Sequence, residues 1–249
     1  MSGPVTTLPL SMGAIDEHRR AIYAKDGPGY WVARGAVPLQ FVHHMRAVWA
    51  QTATARNWEP NRGNGEFRVG SPDVSMVIDT PTAKSRSYHC WFWNAPFDEV
   101  TQSVAFEAQQ YRNYLEGRPP AFGYWPTGDG KATQMFIRQD ILGGDLVPAH
   151  VDGLDTPPPR GAAAIHTHDP SRLQVTTILS KRGVDYTGEG LIYTLNDGTQ
   201  VVFEDHEPLE PGDILFWRHA NVHQIRNIQA TENGAGYLRM ILPVHDLRG

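Results

Sequence analysis

Val147-Pro148-Ala149-His150-Val151-Asp152-Gly153 closes an apolar run that opens with Met135, Phe136 and Ile137 and resumes at Leu146 and Val147. In extended backbone, residues two apart project from the same face, so this stretch lets an imidazole and a carboxylate converge on one ion. The best third donor is His223, at the end of Gly212-Asp213-Ile214-Leu215-Phe216-Trp217-Arg218-His219-Ala220-Asn221-Val222-His223. His219 competes for that role, but His223 follows the second short extended run and is preferred. Two histidines and one carboxylate, with coordination positions left open, form a donor set suited to ferrous iron. Zinc accepts the same ligands, although the lack of cysteine partners and the open face favour iron.

The strands implied by that reading continue through the second half of the chain. Residues 133–138 read as a strand, followed by a turn at Gly143-Gly144 and the run into His150. Leu173–Ser180, Leu191–Leu195, Gln200–Glu204, Ile214–Trp217, Val222–Ile228 and Tyr237–Val244 follow as short β-rich runs. They are punctuated by Gly183–Gly190, Asn196-Asp197-Gly198-Thr199, Pro211-Gly212-Asp213 and Glu232–Gly236. Helical patterns fall in the first half, at about Ala14–Ala24, from Pro38 to about Gln51, and from Asn94-Ala95-Pro96 to about Glu116. A β-rich run at Gly29–Gly35 and an aromatic strand at Tyr88–Trp93 lie between them. Residues 52–72 read as a loop, Val74–Ile78 as a short strand or helical turn, and 79–87 as turn-like. Short strands with helices segregated at the front predict a mainly β chain with flanking helices, built on a double-stranded β-helix of the jelly-roll or cupin kind. The expected organisation is one domain over residues 1–249. Residues 1–132 support it and 133–244 form its metal-binding core.

Composition bounds the partners. The 249 residues carry 22 basic and 27 acidic side chains, a formal charge of −5, which disfavours a life on nucleic-acid phosphates. The single cysteine, Cys90, excludes an intrachain disulfide framework and reads as a buried small hydrophobe. Met1–Met12 has no basic stretch leading into a long apolar core, and no run approaches the length of a membrane span, so a reducing cytoplasm is the expected location.

The order of these features resembles the Fe(II)- and 2-oxoglutarate-dependent oxygenase superfamily, in the layout of small hydroxylases of the phytanoyl-CoA or prolyl-hydroxylase type. The resemblance covers residues 133–244 best. It runs through His150-x-Asp152, the glycine turn with Tyr186, Gly188 and Gly190, then Pro211-Gly212-Asp213, an apolar strand, His223, and Arg239 on the last strand. It implies Fe(II) held by His150, Asp152 and His223, with 2-oxoglutarate and O2 as cosubstrates and ascorbate as a stimulant. A buried guanidinium needs a partner, and Arg239 in Tyr237-Leu238-Arg239-Met240-Ile241-Leu242 would find it in the distal carboxylate of 2-oxoglutarate. Thr177 and Arg138 are candidate assistants from neighbouring strands. The implied reaction releases succinate and CO2 while a C–H bond of a small molecule is hydroxylated, with desaturation or ring formation as variants. Asp152 disfavours halogenation, because halogenases of this superfamily carry a small residue there.

His166, His168 and Asp169 form a second cluster, which reads as a solvated or substrate-gating loop. His43 and His44 read as helix-surface or packing residues. Trp31, Trp91, Trp93, Tyr124 and Trp125 read mostly as core. The alternatives to a small-molecule hydroxylase are a protein or peptide side-chain hydroxylase of the same superfamily, or a non-catalytic cupin-like ligand-binding protein.

Overall fold

A computed structural model describes residues 5–9, 11–55, 59–60, 74–93, 95, 97–126, 130–150, 167–169 and 171–246. In chain order these form α1 (Met12–Tyr23), β1 (Tyr30–Ala33), α2 (Leu39–Ala55), β2 (Glu59–Pro60), β3 (Val74–Asp79), β4 (Ala83–Trp91) and α3 (Glu99–Leu115). The β-rich part continues with β5 (Lys131–His150), β6 (Thr167–His168), β7 (Leu173–Ile178), β8 (Tyr186–Thr187), β9 (Gly190–Thr194) and β10 (Gln200–Val202). After α4 (Phe203–His206) come β11 (Ile214–Arg218), β12 (His223–Ala230), β13 (Tyr237–Ile241) and β14 (Val244–Asp246).

The strands make one curled sheet whose main path is β1-β11-β7-β13-β5-β12-β9-β10, with β4 and β3 continuing from β5. Among the described residues, every pairing of these strands is antiparallel except β2 with β3. β5 is the spine. Along its length it meets β14, β13 and then β12, while β4 runs beside it from Trp91 to Ala83. The turn expected at Gly143-Gly144 is therefore absent. The strand passes straight through, with Gly143 opposite Ala83 on one side and Ile228 on the other. Two glycines signal a turn only when nothing pairs with them, and here both neighbours do.

The turn-like reading of residues 79–87 is also corrected, since β4 occupies most of it. Ser85 and Ser87 point inward while Lys84 is exposed, so both faces are polar and the hydrophobic alternation that marks a strand is missing. The second helix runs four residues further than Gln51, to Ala55, and Gln200–Glu204 divides into β10 and the start of α4.

Two apolar layers hold the curl. Helix α3 begins where the Asp98 carboxylate accepts from the Val100 and Thr101 amides, which satisfies donors no helical carbonyl can reach. Its buried stripe of Val104, Ala105, Ala108, Tyr111 and Leu115 packs with Val42 and Met45 of α2 on the outer sheet face, against Val175, Ile137, Phe216 and Met240. Fully burying each large apolar side chain contributes about 1.5–3 kcal/mol. A second cluster, including Ile178, Tyr193, Leu215, Trp217, Ile225 and Tyr237, lies within the curl.

Arg112, fully buried on α3, ties the helix to the sheet by donating to the carbonyls of Leu173 and Leu242 and to the Thr133 hydroxyl. The Pro211-Gly212-Asp213 turn sets the entry to β11. Gly212 has φ +100°, and a Cβ there would lie 2.3 Å from the Val37 carbonyl oxygen. The Asp213 carboxylate accepts from the Gly35 amide at 2.7 Å and from Arg34 at 2.8 Å, locking β1 beside β11.

Candidate active site

Alternation along β5 decides what faces the interior. Met135 and Ile137 belong to the helix-side core, so Gln134, Phe136, Arg138 and Asp140 project the other way. Cross-strand register stacks their neighbours in layers. Ser87, Arg138, Arg239 and Ile178 stand side by side across β4, β5, β13 and β7. His89, Phe136, Ile241, Thr176 and Leu215 form the next layer, and Trp91, Gln134, Gln174 and Trp217 line the one after. The interior face thus mixes charged and polar side chains with aromatic and aliphatic ones, the combination expected of a ligand site.

Above the tryptophan layer sit the two histidines. His223 opens β12 directly opposite His150, the last residue of β5, and their ring centroids are 4.3 Å apart. The Trp217 ring meets His223 edge-on at 4.7 Å, while its indole N–H donates to the Thr176 hydroxyl at 3.2 Å. His223 Nδ1 is 3.0 Å from the Asn221 carbonyl oxygen. That contact requires the proton on Nδ1, the tautomer usual for a histidine that ligates a metal through Nε2. His219 points elsewhere: its ring stacks 5.5 Å from His223 and 5.2 Å from His168, and its Nε2 lies 3.5 Å from the Gln174 amide. Asp152 and His166 lie outside the described residues. The donor set within them, two imidazoles from directly paired positions, fits a divalent metal that takes a further ligand from the chain.

Arg239 and Arg138 meet on the interior face, and both bond to Asp140. Asp140 is fully buried and Arg239 is 4% exposed. Arg138 Nε donates to the two Asp140 oxygens at 2.9 and 3.1 Å, and Arg239 Nη1 donates to one of them at 2.8 Å. The Arg239 guanidinium also lies over the Tyr237 ring, 4.0 Å from its centroid. Burial alone would raise the Asp140 pKa, but the charges and hydrogen bonds of Arg138 and Arg239 outweigh it and hold the carboxyl below its ordinary value. Two cations on one anion leave the cluster with a net charge of about +1.

Thr177 is on the other side of the sheet. It pairs with Met240 of the helix-side core, and its buried hydroxyl has no hydrogen-bond partner among the described residues. Its neighbour Thr176 is the threonine on the inward face, beside Trp217.

The loop reading of His168 and Asp169 is corrected. His168 belongs to β6 and pairs with His245, and Asp169 is buried with its carboxylate 3.1 Å from Lys131 Nζ. Among the aromatics, Trp91, Trp93 and Trp125 form a stack, with centroids 5.1 and 5.6 Å apart, that ends in a Trp125 ring 65% exposed. His89 stacks on Phe136 at 4.6 Å, with Nδ1 near Gln134 and Nε2 near Ser87. Burial, opposed by the Gln134 hydrogen bond and aided by the charges of Arg138 and His168, lowers its pKa to about 4. Its ring keeps some accessible surface toward the interior.

Asp140 escapes a reading of the sequence although it stands two residues from Arg138, the same spacing that draws attention to His150 and Asp152. Gln134, Gln174 and Trp217 carry no comparable local signal, because only the register brings them together.

No family model and no curated protein matches the sequence. Solved structures do. The non-heme alpha ketoglutarate dependent epimerase SnoN from nogalamycin biosynthesis matches at 13% identity and TM-score 0.56, over 95% of this chain and 84% of that one. SnoN in complex with Fe3+, alpha ketoglutarate and nogalamycin RO matches at 14% identity and TM-score 0.50, over 95% of this chain and 85% of that one. An oxidoreductase of the 2OG-Fe(II) oxygenase family from Burkholderia pseudomallei matches at 11% identity and TM-score 0.51, over 96% and 94% of the two chains. A Pseudomonas putida prolyl-4-hydroxylase matches at 13% identity and TM-score 0.50, over 98% of each chain. The chain therefore has the double-stranded β-helix fold of the Fe(II)/2-oxoglutarate oxygenases.

Proposed function

We propose that this chain is an Fe(II)- and 2-oxoglutarate-dependent oxygenase acting on a C–H bond of a small molecule. The observation that carries the reading is the pairing of His150 with His223 on the same sheet whose inward face carries the paired Arg138 and Arg239. Two strand layers, about 13 Å of backbone, separate the arginines from Trp217. The side chains reaching in from both ends would leave a dicarboxylate to bridge the rest. His150, Asp152 and His223 would hold the metal, with His223 fixed by its Nδ1 proton on Asn221. Arg239 and Arg138 would receive the distal carboxylate of 2-oxoglutarate, each charge-assisted hydrogen bond contributing about 1.5–3 kcal/mol. Phe136, Ile241 and Trp217 between them would exclude water from the cosubstrate chain. Bound ferrous iron supplies the redox chemistry that couples decarboxylation of 2-oxoglutarate to oxidation of the substrate.

The SnoN complex supports this reading, because its fold accommodates iron, alpha ketoglutarate and a small molecule together. The test is turnover. Purified protein with Fe(II), ascorbate and 2-oxoglutarate is expected to form succinate, faster with a substrate from a small-molecule panel than with proline-containing peptides. His150→Ala and Asp152→Ala should abolish it. Failure of the unaltered protein to form succinate under any of these conditions refutes the assignment, and stimulation by peptides alone moves it to a side-chain hydroxylase.

A further inference from the structure

We propose that Asp140 is a positioning residue for the cosubstrate: it aims Arg138 and Arg239 as one two-armed clamp and fixes their joint charge. The inference rests on the oxygenase reading above. Arg138 and Arg239 occupy directly opposed positions on β5 and β13. Like charges so placed repel, and Arg239 is 4% exposed, so their proximity needs an anion. Asp140 is that anion, and the atoms it engages matter. It takes Nε of Arg138, leaving both terminal nitrogens of that fork, and Nη1 of Arg239, leaving Nη2. Those remaining nitrogens make no hydrogen bond among the described residues.

The surplus positive charge is the complement of one carboxylate, the number that 2-oxoglutarate brings beyond the 2-oxo acid end. The clamp is thereby kept assembled in the free protein, so a ligand meets donors already oriented.

The experiment is calorimetry on the full chain loaded with Mn(II), using 2-oxoglutarate and 2-oxopentanoate, which has the same carbon chain with a methyl in place of the distal carboxylate. The unaltered protein is expected to prefer 2-oxoglutarate by at least about a hundredfold. In Asp140→Asn, affinity for 2-oxoglutarate should fall by about tenfold or more, while affinities for 2-oxopentanoate and for Mn(II) stay within about twofold. Equal loss of all three affinities would mean a merely structural role and overturn the proposal, as would unchanged 2-oxoglutarate affinity. Asp140→Glu serves where the asparagine variant does not fold. It keeps the charge but moves the carboxylate by one methylene, and should weaken 2-oxoglutarate severalfold with 2-oxopentanoate unchanged. Full 2-oxoglutarate affinity in that variant would show that charge without placement suffices, against the proposal. Absence of 2-oxoglutarate preference in the unaltered protein would instead remove the oxygenase reading itself.

Discussion

Arg239→Met separates cosubstrate binding from metal binding. The substitution keeps an unbranched side chain beneath Ile178 and Arg138 but removes the cation over Tyr237. In the free protein the loss is limited, because Asp140 retains both hydrogen bonds from Arg138 Nε, at 2.9 and 3.1 Å. The remaining Arg138–Asp140 pair is neutral overall. A 2-oxoglutarate carboxylate would then lose Arg239's share of its charge-assisted bonds, about 3 kcal/mol when two bonds of about 1.5 kcal/mol are counted. That corresponds to roughly a hundredfold weaker binding. His150 and His223 make no contact with Arg239, so metal affinity should change less than about twofold by the same arithmetic. Anaerobic titration of the Mn(II)-loaded variant with 2-oxoglutarate measures the first quantity, and competition with a chelator measures the second. A loss of less than about threefold in 2-oxoglutarate affinity, or a parallel collapse of metal binding, would refute the assignment of Arg239 to the cosubstrate.

Thr177→Val should leave 2-oxoglutarate binding unchanged and raise stability by up to about 1 kcal/mol, because it replaces a buried hydroxyl that lacks a partner. Denaturant melts and the same titration check it, and a tenfold loss of cosubstrate affinity would contradict the placement of Thr177 on the helix side of β7. His223→Ala should weaken Mn(II) by about a hundredfold or more, and His219→Ala by no more than about tenfold, a ligand against a neighbour. The opposite ranking would exchange the two roles. Acid should act in two stages. The His89 pKa falls from 6.5 unfolded to about 4 folded, so the unfolded chain takes up the proton first and stability declines as pH drops from 6.5 toward 4. With allowance for the ring's residual exposure this is on the order of 1 kcal/mol by pH 5. His89→Gln should flatten the slope, and an unchanged slope in equilibrium denaturation would remove His89 as its source. Asp140, whose pKa is depressed, stabilises above its unfolded value of 3.8, and that contribution is lost as pH falls through the lower folded value.

The candidate histidines and Arg239 stand out in the sequence because each breaks a local pattern: an imidazole at the end of an apolar run, a guanidinium inside Tyr237–Leu242. The order of strands from Leu173 to Ile241 is legible for the opposite reason, since turns such as Asn196–Thr199 and Pro211–Asp213 punctuate regular apolar runs. What escapes is polar and nonlocal. Residues 83–87 of β4 read as turn-like because Ser85 and Ser87 put hydroxyls, and not apolar groups, on the inward face. Thr177 reads as a cosubstrate contact where Thr176 faces inward, a choice of parity that composition does not decide and register with Met240 does. His168 reads as a loop residue until β14 arrives from the end of the chain to pair with it.

β5 carries Arg138 and Asp140 near its middle and His150 at its end. Its register against the neighbouring strands shifts between Asp140 and Leu142 and again between Asp145 and His150. Each such irregularity takes up an extra residue, bends the strand and resets which face the following side chains occupy. The arginine pair and His150 are therefore phased by these irregularities as well as by the number of residues between them. Removing one residue at either place would swing His150 to the opposite face of the sheet while leaving Arg138 and Asp140 where they stand: the two halves of the proposed site share a backbone but are tuned separately.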